Sequence, residues 1–222
     1  GADSQKGVCL MPEFILITEL IGNVAFAVSG AVISINKRFD IFGVLFCAVT
    51  TALGGGVLRD IMVANLPPVM FRKEIYFITA VCTGIVIFLI ARRNPDHFRE
   101  DAERADSIVN IFDALGLGIF TVVGINTAIA QGYQDNAFFS VFLGMTTGCG
   151  GGILRDVMVR EVPFVFTKRV YAVASIAGGI VYYLLDVTLS IDQFAALICG
   201  VAVTTALRIT AAVRRWSLPK AF

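Results

Sequence analysis

The chain has 222 residues, of which 57% are hydrophobic and 16% charged, with a formal net charge of +1. A soluble domain of this size carries about 25% charged and 45–50% apolar residues, and the mean hydropathy here is +0.80. So apolar a chain would leave too much apolar surface in water for a soluble enzyme, and 18 Lys and Arg against 17 Asp and Glu lack the concentrated basic face of a nucleic-acid binder. The composition defines an integral membrane protein.

Residues 1–12 are short, mixed and without an apolar signal region, and they read as a tail. A helix needs roughly 20 residues to cross a hydrocarbon core about 30 Å thick. Seven segments meet that length in chain order: Phe14 to Ile35, Ile41 to Val63, Ile75 to Ala91, Ile108 to Ala130, Ala137 to Val159, Val170 to Leu185 and Phe194 to Val213. The alternating segments of about ten residues that mark a membrane barrel are absent. Polar breaks separate the spans, the longest being Arg92 to Ser107, which holds the single histidine, His97. Cys9, Cys47, Cys82, Cys149 and Cys199 show no CxxC spacing; four lie in apolar spans, where cysteine packs as a small apolar residue.

Positive charge is retained on the cytoplasmic side. Lys6, Arg72 and Lys73 fall on the side of the N-terminus. Lys37, Arg38, Arg92, Arg93, Arg99, Arg104, Arg160, Lys168, Arg169, Arg208, Arg214, Arg215 and Lys220 fall on the other, thirteen against three. The expected orientation puts the N-terminus outside and the C-terminus in the cytoplasm.

The second span contains Thr50-Thr51-Ala52-Leu53-Gly54-Gly55-Gly56-Val57-Leu58-Arg59-Asp60-Ile61-Met62-Val63, and the fifth contains Thr146-Thr147-Gly148-Cys149-Gly150-Gly151-Gly152-Ile153-Leu154-Arg155-Asp156-Val157-Met158-Val159. Ten of the fourteen positions are identical at an offset of 96, and Pro67 and Pro163 continue the register. Upstream, Glu19-Leu20-Ile21-Gly22 matches Asp113-Ala114-Leu115-Gly116, and Phe26 and Gly30 match Phe120 and Gly124, all at an offset of 94. The change of offset places a two-residue insertion in the second copy. The chain thus divides into a tail (1–12), a three-helix repeat (13–92), a charged cytoplasmic linker (93–106), a second three-helix repeat (107–187) and a seventh helix with its tail (188–222). A three-span unit is odd, so the second copy enters the membrane from the opposite face, and the repeats are inverted about an axis in the membrane plane. The fold class is an all-α membrane protein: two inverted three-helix repeats plus one extra helix.

Three consecutive glycines weaken a helix by roughly 3 kcal/mol in total relative to alanine. Small residues also let helix backbones approach closely in lipid. A triplet, however, spreads over about 200° of the helix surface, more than one interface uses. A kink or unwound turn in both spans is therefore the expectation, with freed carbonyls lining water or a cation path. Thr50, Thr51, Thr146 and Thr147, one turn earlier, add candidate hydroxyl ligands. Arg59, Asp60, Arg155 and Asp156 sit toward span ends, and Glu19 and Asp113 lie deeper. Charges in lipid face a bundle interior and pair there. Neighbouring helical residues point about 100° apart, so Arg and Asp of one motif are expected not to pair with each other; each Arg is expected to reach Glu19 or Asp113 on another span. A fixed strut and a gate both fit such a pair.

Two GGGxxRD motifs, on the second and fifth of seven spans, resemble the trimeric intracellular cation (TRIC) channel family in its prokaryotic branch, over about Phe14 to Arg215. The resemblance implies a homotrimer in membrane lipid with one ion pathway per protomer, between kinked second and fifth helices. Gly54, Gly55, Gly56, Gly150, Gly151 and Gly152 would lie at the bends. It also implies permeation by potassium and other monovalent cations, with no cofactor and no metal beyond the passing ion. The basic motif of the animal members, linked to phosphoinositide binding, has no counterpart at a matching position here. A secondary transporter of glycine or another small amino acid stays open as the alternative, since broken half-helices offer amides to a carboxylate and carbonyls to an ammonium group. No Ser/His/Asp set, HExxH, P-loop or GxGxxG occurs to support an enzyme.

Overall fold

A computed structural model describes residues 11–93, 102–167, 170–214 and 216, apart from the side chains of 11–13, 102–105 and 167. Lys6, Cys9, His97, Arg99, Lys168, Arg169, Arg215 and Lys220, the side chain of Arg104 and most of the linker lie outside the described residues. The seven long helices are α1 (Met11–Asn36), α2 (Ile41–Met62), α3 (Glu74–Arg93), α4 (Ala102–Ala128), α5 (Ala137–Met158), α6 (Tyr171–Tyr183) and α7 (Gln193–Val213). One-turn helices Val69–Arg72 and Phe164–Thr167 precede α3 and α6, and single π-turns, Ile129–Tyr133 and Leu184–Thr188, extend α4 and α6. Seven of these segments, with the π-turns included, are long and apolar enough to cross a membrane. They coincide with the expected spans to within a few residues.

Local chemistry sets the helix ends identically in both copies. Asp40 and Asn136 cap α2 and α5, their side-chain oxygens accepting the Gly43 N–H at 2.7 Å and the Phe139 N–H at 3.0 Å. Both helices end by turning one residue left-handed, Ala64 (φ 55°) and Arg160 (φ 59°). The next N–H then closes back on the helix, Asn65 on the Asp60 carbonyl and Glu161 on the Asp156 carbonyl. The two-residue insertion is also visible. Arg38 and Gly132, at the 94 offset, both have positive φ. From there the first copy reaches its Asp40 cap through Phe39 alone, the second through Tyr133, Gln134 and Asp135. At the prolines the register corrects the sequence expectation. The Pro68 carbonyl accepts from Phe71 as the Pro163 carbonyl accepts from Phe166, so Pro68 rather than Pro67 matches Pro163 and the offset there is 95.

In each repeat the three helices pack on one another: α1, α2 and α3 in the first, α4, α5 and α6 in the second. The repeats join through α1 on α4 and α2 on α5, and α7 lies against α4 and α6. Both inter-repeat contacts are reciprocal. A methyl added to Gly55 would collide with the Thr147 carbonyl, and one added to Gly151 with the Thr51 carbonyl. Gly54 meets Leu154, and Gly150 meets Leu58. Each residue thus meets the partner of a residue one turn away in the opposite sense, so α2 and α5 cross antiparallel. In α1 and α4, Gly22 meets Phe120, Gly116 meets Phe26, and the two phenylalanine rings stack at 5.3 Å. Self-complementary contact of this kind is the signature of a two-fold relation.

The glycine triplets sit at the α2–α5 crossing, and helical structure runs through both without interruption. The expected unwinding is not what forms. The physical reason is backbone proximity: glycine removes the side chain where one helix lies on the carbonyls of the other, and the dispersion gained there offsets the low helix propensity.

Candidate functional site

Two buried ionic clusters lie beyond the crossing, each at the C-terminal end of α2 or α5, so the antiparallel arrangement sets them on opposite sides of it. In the first, the Arg59 guanidinium donates from Nη1 to Glu19 Oε1 at 3.1 Å and from Nε to Asp60 Oδ1 at 2.8 Å. The Tyr76 hydroxyl donates to Glu19 Oε2, and the Val69 N–H donates to Asp60 Oδ2 at 2.7 Å. Asn23 Nδ2 holds the Tyr76 carbonyl at 2.9 Å. All four carboxylate oxygens are engaged, and the one-turn helix before α3 is tied to α2.

The second cluster repeats the plan with different side chains. Arg155 donates from Nη1 to Asp113 Oδ1 at 2.5 Å and from Nε to Asp156 Oδ1 at 2.8 Å. Asp156 Oδ2 accepts the Phe164 N–H at 2.7 Å. Arg155 also bonds Ser29 on α1 of the other repeat and lies 4.7 Å from the Phe164 ring centre. Arg208, on the unduplicated α7, lies 5.2 Å from the ring centre of Tyr171 and 3.5 Å from Asn110 Oδ1.

The expectation that each Arg reaches Glu19 or Asp113 holds in this geometry. The expectation that adjacent Arg and Asp cannot pair does not. The 100° between their Cβ directions is bridged because the arginine stem is long enough to turn its Nε toward the next residue. All six charged groups are nearly or wholly buried, with Glu19 the most exposed at 7%. Taking such charges from water costs several kcal/mol each, so each side chain depends on the network of partners that holds it in place.

Gly54, Gly55, Gly56, Gly150, Gly151 and Gly152 are all buried. So are Thr51 and Thr147, whose hydroxyls donate one turn back, to the Cys47 carbonyl at 2.6 Å and the Leu143 carbonyl at 2.5 Å. The same threonine side chains pack against Gly30 of α1 and Gly124 of α4. Thr50 is half-buried. Thr146, also half-buried, donates to the Phe142 carbonyl at 2.8 Å and lies 3.7 Å from Met62 Sδ across the crossing. The sequence reading missed Tyr76, Tyr171 and Ser29, and it counted Arg208 among the charges that set orientation although it is 2% exposed. A signal existed for the tyrosines: Lys73-Glu74-Ile75-Tyr76 and Lys168-Arg169-Val170-Tyr171 repeat a Lys-x-x-Tyr pattern at the proline offset of 95. Among the described residues, no group of three or more His, Cys, Asp or Glu is arranged to hold a metal ion.

An inverted-repeat bundle with its charges gathered around a central antiparallel crossing is the architecture of membrane transport proteins. A family described as glycine transporter matches residues 16–92 and again 110–187, one match to each repeat. The chain is 32% identical to the UPF0126 inner membrane protein YadS of Escherichia coli over 200 residues, 90% of this chain and 91% of that one. A solved structure described in terms of conductance through TRIC cation channels superposes with a TM-score of 0.79 at 33% identity, covering 93% of this chain and 96% of that one. The TRIC trimeric intracellular cation channel orthologue from Rhodobacter sphaeroides superposes with a TM-score of 0.81 at 25% identity, covering 91% and 99%. The chain belongs to this family of multi-pass inner membrane proteins, the prokaryotic TRIC branch, and the family is one of channels rather than enzymes.

Proposed function

We propose that the chain forms a cation channel, permeable to potassium and other monovalent cations, with one pathway in each protomer of a homotrimer. The pathway follows the α2–α5 crossing, bordered by Gly54, Gly55, Gly56, Gly150, Gly151 and Gly152 and by Thr50, Thr51, Thr146 and Thr147. The likeness to a solved TRIC cation channel along 93% of the chain carries the reading. The crossing supports it, since at Gly55 and Gly151 the two helices meet backbone to backbone, with Leu58 and Leu154 alone reaching across to the neighbouring glycines. The Arg59 and Arg155 clusters tie the ends of those helices to their neighbours and act as struts or as gates. The bilayer surrounds the trimer, with the N-terminus outside and the C-terminus in the cytoplasm, as thirteen basic residues against three support.

Recording in planar bilayers under asymmetric KCl tests this. Unitary current steps that reverse near the potassium equilibrium potential are the expected result. Slow saturable flux without steps overturns it in favour of a second reading, a carrier for glycine or another small zwitterion, which the glycine-transporter description of the matching family favours. That carrier would show substrate uptake competed by close analogues.

A further inference from the structure

Both α1 and α7 pack on α4, and a cavity remains between them. Its volume is about 220 Å³, larger than the roughly 150 Å³ engineered cavity that takes up benzene. Phe14, Ile15, Val123 and Leu197 form its apolar walls. The rings of Phe14 and Phe194 meet edge to face at 4.9 Å and bridge α1 to α7 at the surface, where Phe194 is half exposed.

Three uncharged polar side chains, Asn126 of α4, Tyr182 of α6 and Gln193 of α7, complete the lining. Gln193 Nε2 donates to Asn126 Oδ1 at 2.6 Å, and the Tyr182 hydroxyl lies 3.5 Å from the same oxygen. With its oxygen engaged, the half-buried Asn126 keeps the two N–H donors of Nδ2, and neither binds another described residue. The first repeat has no such group. At the 94 and 95 offsets Asn126 and Tyr182 face Val32 and Ile87, which belong to one apolar cluster and close that place with hydrocarbon.

We propose that this cavity is a lipid site, taking the upper acyl chain of an ester-linked lipid of the surrounding bilayer, with the ester carbonyl accepting from Asn126 Nδ2. The lining selects that class. No charged residue borders the cavity, so a phosphate or ammonium group finds no counter-ion there and stays outside. The walls are hydrocarbon, against which a chain gains dispersion contacts. A free amide donor needs an acceptor, and the carbonyl at the head of an acyl chain is the one a lipid brings. The depths agree as well. Gln193 opens α7 and Asn126 stands near the end of α4, at the membrane boundary, while Val123 and Leu197 lie about one turn deeper. Polar lining followed by apolar lining is the order of ester and chain in a lipid. The site does not rest on what the pathway carries, and its test reads no current.

Photolabelling of the full chain in lipid nanodiscs tests this. The probe is phosphatidylglycerol with a diazirine just below the ester, and adducts are located by tandem mass spectrometry. Phe77 and Ile78, near the start of α3 on the same side of the membrane, are 52% and 49% exposed, whereas Val123 and Leu197 are 3% and 8%. Chains that only brush the surface therefore label Phe77 and Ile78 and leave the other two unmarked. Adducts on Val123 or Leu197 at least as abundant as those on α3 are expected. Their absence, with the N-terminal tail or a neighbouring protomer filling the cavity instead, overturns the proposal without any variant. The ether-linked analogue with the same diazirine lacks the carbonyl and should lower the cavity adducts several-fold, leaving those on α3 unchanged. Equal yields from the two lipids would overturn the carbonyl contact and the site as drawn. Leu197→Trp fills the cavity and should remove the Val123 adduct, and an undiminished adduct in that folded variant also counts against the site.

Discussion

The two ionic clusters occupy matching positions in a duplicated unit, yet they are built from different sets of side chains. Around Arg59 every carboxylate oxygen has a donor from the protein. Around Arg155 the tyrosine does not reach the acid, Ser29 of the other repeat joins the guanidinium, and a fourth helix contributes an extra arginine. Between them the α2–α5 crossing keeps its two-fold relation, down to which carbonyl each glycine touches. The duplication has thus kept its symmetry where backbones meet and lost it where side chains carry charge. A backbone contact tolerates only glycine, whereas an ionic cluster can be rebuilt from several sets of side chains if each charge finds a partner.

The crossing gives the largest expected effect and tests the symmetric half of this comparison. Gly55→Ala and Gly151→Ala each place a methyl on a backbone carbonyl of the opposing helix, which cannot rotate away. Each should cost at least the upper end of the overpacking range, about 3 kcal/mol, and the two losses should match closely. Equilibrium unfolding in mixed micelles measures both. A mild loss in one and a severe loss in the other would break the symmetry.

The arginines come next and should differ. Removing one partner of a buried ion pair costs about 3–5 kcal/mol because the remaining charge stays buried. Arg155→Leu takes from the fully buried Asp113 the guanidinium that donates to it, while Asp156 keeps its Phe164 N–H. Arg59→Leu leaves Glu19 with its tyrosine and Asp60 with its Val69 N–H. The loss for Arg155 should therefore exceed that for Arg59 in the same unfolding experiment, and the reverse order would remove the distinction. The tyrosines sharpen it further. Tyr76→Phe takes the donor from Glu19 Oε2 and should cost about 1–3 kcal/mol, while Tyr171→Phe removes a hydroxyl with no hydrogen-bond partner among the described residues and should cost under about 1 kcal/mol.

Much of this was legible in the sequence, and the physics of the bilayer explains which parts. Backbone polar groups in lipid must be satisfied within a helix, so apolar runs of about 20 residues state the spans directly. A charge in a span needs a partner, so Glu19 and Asp113 could be named for Arg59 and Arg155. The glycine triplets were misread because unwinding and close approach use the same residue, and only the partner helix distinguishes them. The Arg59–Asp60 contact was misread because helical angles describe where a side chain starts, and a long arginine ends elsewhere. Arg208 was overlooked because a basic residue near a span end looks like an orientation signal until the helix beside it is known.

The smallest effect concerns the surface join between the repeats. Lys37, in the turn after α1, pairs with Glu161, just past α5, and both side chains are more than a third exposed, at 40% and 47%. Their counterparts by the repeat offsets are Gln131 and Asn65, which carry no charge. Asn65 instead accepts from Arg72 within its own repeat. The charged join thus exists beside the second cluster only, a further place where the duplication has diverged in side chains. Exposed pairs are screened and typically couple by about 0.2–1 kcal/mol. A double-mutant cycle with Lys37→Met and Glu161→Gln should return a coupling in that range, shrinking between low salt and 0.5 M KCl by screening at a Debye length of a few ångströms. A salt-independent coupling above about 2 kcal/mol would mean the pair is shielded from water and holds the repeats together as the buried clusters do.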